Sequence, residues 1–68
     1  MSMKPKQINY RTYSNHKGTI HKKVLDITDA GVVQYEIVYK KGFNVTVGDI
    51  KKCEIQTFAT WCAREVKG

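Results

Sequence analysis

The chain is expected to adopt an α+β fold: a small antiparallel β-meander of three to four strands, packed by one C-terminal amphipathic helix. Curling of the sheet would make it a small open barrel. Three observations support this. Between Gly18 and Gly48 the apolar residues alternate, as in Val33, Tyr35, Ile37 and Tyr39, then Phe43, Val45 and Val47, and alternation sends successive side chains to opposite faces of a strand. After Cys53 they recur at helical spacing, at Ile55, Phe58, Ala59, Cys62 and Val66, which gathers them on one helix face. Between the apolar runs stand clusters of Gly, Asn, Asp and Lys that suit tight turns.

Each element has a local reason. Residues 8–14 (INYRTYS) alternate and read as a short first strand, with Ile8, Tyr10 and Thr12 on one face and Arg11 and Tyr13 on the other. Residues 14–18 (SNHKG) are turn chemistry, because Ser and Asn bond nearby backbone and Gly accepts positive φ. Residues 18–28 form a second strand. Its apolar parity shifts between Ile20 and Leu25, which predicts a bulge or bend near Lys22 and Lys23. Thr28-Asp29-Ala30-Gly31 is a hairpin connection. Val32 to Lys40 is the strongest strand, with Val33, Tyr35, Ile37 and Tyr39 facing the core. Lys40-Lys41-Gly42 turns the chain again, and Phe43, Val45 and Val47 return along a further strand that ends at Gly48-Asp49.

The stretch from Cys53 onward reads better as helix than as strand, since its apolar residues fall within a stripe of about 100°. Glu54 in the first turn, with Arg64 and Lys67 near the last, suits the helix dipole, and Gly68 follows. With Cys53 as N-cap, Gln56 takes the capping-box position.

Length sets the scale. The 68 residues make one domain, read as a flexible N-terminal arm over residues 1–7 and a single sheet-plus-helix unit over 8–68. A body of ~60 residues buries only about 60% of the surface its unfolded chain exposes, so stability is marginal. No apolar run reaches the ~20 residues that span a bilayer. The polar, lysine-bearing start does not read as a secretory signal, so a cytoplasmic location and no membrane partner are expected. Cys53 and Cys62, if both lie along one helix, are ~13 Å apart, beyond the ~7 Å limit for a disulfide, and free thiols suit a reducing compartment.

Twelve Lys and Arg against six Asp and Glu give a formal net charge of +6, a field that attracts polyanions. The basic residues cluster at 16–23, 40–41 and 51–52. In a meander the turn near His16–Gly18 and the one at Lys40–Gly42 can lie at the same end of the sheet, where Lys17, Lys22, Lys23, Lys40 and Lys41 would neutralise phosphates. Turn lysines also serve solubility and keep sheet edges from pairing. Arg11 and Tyr13 are the exposed stacking candidates, since Tyr35 and Tyr39 are assigned to the core. Aromatic rings interleaved with cations are the working parts of single-strand platforms.

Trp61 lies off the main helix stripe, and either seals the flank of the core or stands out as a protein-interaction anchor. His16, His21, Cys53 and Cys62 lack zinc-ligand spacing, so no metal is expected. The carboxylates show no paired spacing and the serines no aligned base, so no catalytic residue, cofactor or small-molecule substrate is expected, and the chain does not read as an enzyme.

The order of strands followed by a helix resembles that of many small phage and bacterial accessory domains. It is also similar to small open barrels of the Src-homology or tudor type with an added helix. This likeness covers most of the chain as a pattern of elements. Two functions are compatible with size and charge. One is a small basic, non-enzymatic binding module that contacts nucleic acid through lysine-rich turns. The other is an accessory protein of phage or bacterial type (adaptor, inhibitor or homodimer) that binds an acidic protein, or itself, through the helix flank at Trp61 or a sheet edge.

Overall fold

A computed structural model describes residues 3–42 and 45–67. It contains an open, five-stranded antiparallel sheet and one helix, as the α+β reading anticipates. The strands are β1 (Thr12–Ser14), β2 (Ile20–Ile27), β3 (Val32–Lys40), β4 (Ile50–Glu54) and β5 (Arg64–Glu65), with α1 (Ile55–Trp61) between the last two. Their order across the sheet is β4-β3-β2-β1-β5. The first four strands form a meander, and the chain end returns across to the free side of β1.

Turn chemistry fixes the β2–β3 hairpin. The Gly31 amide donates to the Thr28 carbonyl at 3.0 Å and the Thr28 amide to the Val32 carbonyl at 2.9 Å. Gly31 sits at φ +83°, where an L side chain is strained. The Ile55 amide also donates to the Gly31 carbonyl at 2.8 Å, tying the start of α1 to this turn.

The core lies between one sheet face and α1. Tyr13, Val24, Val33, Tyr35 and Ile37 from the sheet meet Phe58, Ala59 and Cys62 from the helix segment, with Ile8 closing one side. Phe58 is its centre. Its ring stands 5.9 Å from Tyr13 in a T-shaped contact, 5.5 Å from Tyr35 and 5.7 Å from Trp61, all within the 4.5–7 Å range of favourable aromatic pairing.

Residues 3–7, read from sequence as an arm, contribute to this packing. Pro5–Gln7 makes one turn of 3-10 helix, held by the Lys4 amide donating to Gln7 Oε1 at 2.8 Å. The Met3 amide donates to the Cys62 carbonyl at 3.1 Å, and the Met3 side chain packs on the core.

Several expectations need correction. The fourth strand is not residues 43–47. Val45 and Val47 lie outside any strand, and Phe43 falls outside the described residues. Bonding to β3 is made at Gly48, whose amide donates to the Ile37 carbonyl at 2.7 Å, and at Asp49, whose carbonyl accepts from the Ile37 amide at 2.9 Å. From there Ile50 pairs with Glu36, Lys51 with Tyr35 and Cys53 with Val33. Almost none of β4 is buried, with only Cys53 partly covered, so its sequence carries no alternation to read.

The helix is also shorter than the stripe suggests. It runs for seven residues, with Glu54 rather than Cys53 at the N-cap, and Cys62 leaves it in an extended conformation at φ −69°, ψ 131°. The Ala63 amide then donates to the Ser14 carbonyl and the Val66 amide to the Thr12 carbonyl, each at 2.8 Å. The open side of β1 offers these residues hydrogen-bond partners that a further helical turn, carrying Arg64, Glu65 and Lys67, would leave unused. Cys53 therefore lies on β4 and Cys62 just past α1. Both are free thiols.

The first strand begins at Thr12, four residues later than expected, and Tyr10 is exposed. Tyr13, expected in solvent, is only 1% exposed. Pairing of β1 with β2 puts Tyr13 opposite Lys22, and side chains of directly paired residues share a face, here the face under Phe58. Its hydroxyl accepts from the Asn9 amide at 2.8 Å and donates to the Gln7 carbonyl at 3.3 Å, so the buried phenol is satisfied.

Candidate nucleic-acid interface

Two slips of register decide which side chains reach the open face of the sheet. Between β2 and β3 the pairing passes from His21 opposite Tyr39 to Lys22 opposite Ile37, leaving Val38 as an extra residue. It slips again between Val24 opposite Tyr35 and Asp26 opposite Gln34, leaving Leu25 extra. A one-residue slip moves every later side chain to the other face. The sequence places a single bulge at Lys22-Lys23. The structure places one irregularity beside Lys22 and the parity switch of β2 itself at Leu25.

The first slip corrects the assignment of Tyr39. By simple alternation Tyr39 would follow Val33, Tyr35 and Ile37 into the core. The extra residue at Val38 instead turns Tyr39 out, and it is 41% exposed. Its ring lies 4.6 Å from that of its cross-strand partner His21, tilted by 32°. The two rings form a stacked pair on the open face.

Basic residues cluster at the end of the sheet that carries this pair. Asn15 builds the first turn: its Oδ1 accepts from the Thr19 and Ile20 amides at 2.8 and 3.3 Å, while its Nδ2 donates to Thr19 Oγ1 at 2.8 Å. The turn displays Lys17. The Lys41 amide donates to the Thr19 carbonyl at 2.8 Å and Ile20 pairs with Lys40, so the two lysine-bearing turns adjoin at one end of the sheet. Lys17, Lys40 and Lys41 are all exposed there. Arg64 of β5 joins them, because a Cβ built on Gly18 would stand 2.9 Å from the Arg64 guanidinium. Lys23 projects from β2 on the open face, with Glu36 as its cross-strand neighbour.

Three sequence candidates lie elsewhere. Arg11 is exposed, but its carbonyl accepts from the Val24 amide at 2.9 Å, which puts it at the far end of β1 from the turns. Tyr13 is in the core. Lys22 is half-buried on the core face, where its Nζ stands 4.5 Å from the ring centroid of Tyr35 and 4.2 Å from that of Trp61. The two aromatic faces attract the ammonium. Burial pulls its pKa below the ordinary lysine value, helped by the charge of Lys51, while the Cys53 and Cys62 thiols act in the opposite sense. Trp61 is accordingly occupied on its flank position, packed on Phe58 and over Lys22.

Tyr39, His21 and Arg64 are the residues that sequence reasoning passed over as contacts. A strand-parity argument excludes Tyr39 unless the slip at Val38 is known, and Arg64 reaches the turn only because the chain end pairs with β1. The lysine clustering at residues 16–23 and 40–41 was the usable signal for the remainder.

No protein-family model matches this chain, and neither a curated protein nor a solved structure matches it. Among the described residues no helix is long and apolar enough to cross a membrane, and no three His, Cys, Asp or Glu side chains converge as a metal site would require.

Proposed function

We propose that this chain is a small, basic, non-enzymatic binding module of the cytoplasm that contacts nucleic acid through the end of the sheet carrying Lys17, Lys40 and Lys41. The observation that carries the reading is the junction of the two turns, which brings exposed Lys17, Lys40 and Lys41 and the Arg64 guanidinium to the end of the sheet that carries the Tyr39–His21 pair. Phosphates favour such a cluster because binding releases condensed counterions. Free thiols at Cys53 and Cys62 suit a reducing compartment.

A salt titration of binding tests this. Removing two phosphate contacts with Lys40→Glu and Lys41→Glu together is expected to flatten the slope of log affinity against log salt by roughly 1.4–1.8. An unchanged slope would remove these lysines from the interface.

A second reading draws on β4, an edge strand of the sheet with Ile50 exposed beside Lys51 and Lys52. An acidic protein segment, or a second copy of the chain, would add to that edge by strand pairing, in the manner of a phage or bacterial accessory protein. Sedimentation of the protein alone and with acidic peptides separates this reading from the first.

A further inference from the structure

We infer that the open face takes single-stranded rather than duplex nucleic acid, with an unpaired base stacked on Tyr39. The inference rests on the nucleic-acid reading above and narrows it to one substrate class.

Three observations lead there. First, Tyr39 is a large ring left in solvent by a local slip of register, in a chain whose other sheet-borne tyrosines, Tyr13 and Tyr35, are buried. His21 stacks on it at 4.6 Å, so one side of the ring is backed and its orientation is set before any ligand arrives. A fixed aromatic surface lowers the ordering cost of binding. Secondly, cations flank the rings. Lys23 lies two residues along β2 from His21, on the same face; Arg64 and His21 are both paired with Ser14; and Lys41 is bonded through its backbone to Thr19. A base on the ring would therefore have its neighbouring phosphates within the basic cluster, the combination that single-strand binders use.

Thirdly, the usual means of entering a duplex groove are lacking among the described residues. The one helix, α1, has seven residues, Ile-Gln-Thr-Phe-Ala-Thr-Trp, and none is basic. Its Phe58 and Ala59 are committed to the core. The central hairpin of β2 and β3 is flanked on both sides by β1 and β4, so it is not a free two-stranded ribbon of the kind that fits a major groove. In a duplex the base faces are already stacked on each other, and Tyr39 would find only backbone.

The test uses the full chain with fluorescent oligothymidylate, oligouridylate and a mixed-sequence duplex of equal length, at low and moderate salt. Tighter binding of either single strand than of the duplex is expected. Tyr39→Ala should weaken single-strand binding about ten- to hundredfold, Tyr39→Phe should retain it, and the salt slope should stay the same in both. Circular dichroism checks that the exposed substitution leaves the fold intact. Equal affinity for the duplex, or a Tyr39→Ala variant that binds single strands as well as the parent, would overturn the stacking inference. Loss of binding in Lys40→Glu plus Lys41→Glu would then leave the electrostatic reading standing. Absence of binding to all three probes at low salt would remove both.

Discussion

Phe58 is the side chain on which the helix is seated, and replacing it with leucine tests the packing directly. The ring is 1% exposed and touches three others, Tyr13, Tyr35 and Trp61, at 5.5–5.9 Å. Each aromatic pair is worth about 0.5–1.5 kcal/mol beyond the area it buries. Leucine keeps much of the apolar contact and loses the ring geometry, so a loss of about 2 kcal/mol is expected, below the roughly 3–5 kcal/mol of a full truncation to alanine. A chain of 68 residues has a total stability of only about 3–10 kcal/mol. Its unfolding entropy is about 140 cal/mol/K, which converts 2 kcal/mol into a fall in Tm of about 14 °C. Thermal melts followed by the fluorescence of the single Trp61 and by far-ultraviolet circular dichroism should show this shift with both probes coincident. A fall in Tm under about 3 °C, equivalent to less than half a kcal/mol, would mean that the helix is held by something other than this ring cluster.

Two more expectations concern the turn and the thiols. Asn15→Ala removes the acceptor for the Thr19 and Ile20 amides and should cost about 1–2 kcal/mol in urea unfolding; the same variant should weaken nucleic-acid binding, because it frees the turn that presents Lys17, and unchanged stability would refute the clasp. Alkaline pH should also destabilise the fold. Burial pushes the Cys62 thiol from 9.0 up to about 12, and Tyr13, Tyr35 and Cys53 are raised by burial as well. A raised thiol or phenol stays protonated in the folded chain while the unfolded chain ionises, so its contribution is complete below the unfolded pKa and is lost as pH rises through the folded one. For Cys62 the window runs from pH 9 to about 12, with a slope of at most about 1.4 kcal/mol per pH unit. Lys22, lowered by burial, works in the opposite sense. Urea melts across this range should fall steeply in the parent and less steeply in Cys62→Ala, and parallel slopes would exclude the thiol as the cause.

The alternating run at Val33, Tyr35 and Ile37 and the Thr28–Gly31 turn were legible from sequence because both are local. Alternation over a few residues needs one buried face, and a turn needs only the φ that glycine accepts. The helical stripe was legible at Ile55, Phe58 and Ala59, where it packs on the sheet. It misled at Val66, where the same spacing belongs to a residue bonded to β1.

Composition and local pattern alone determined that this chain is a basic, sheet-plus-helix domain with lysines at its turns, since charge count, turn geometry and side-chain period are properties of neighbouring residues. Tertiary pairing alone decided that Tyr39 faces solvent, that Tyr13 does not, that Lys22 lies between two rings and that Arg64 reaches the first turn. Each of these follows from which residue stands across the strand gap. A shift of one position there reverses inside and outside without altering a single letter of the local pattern.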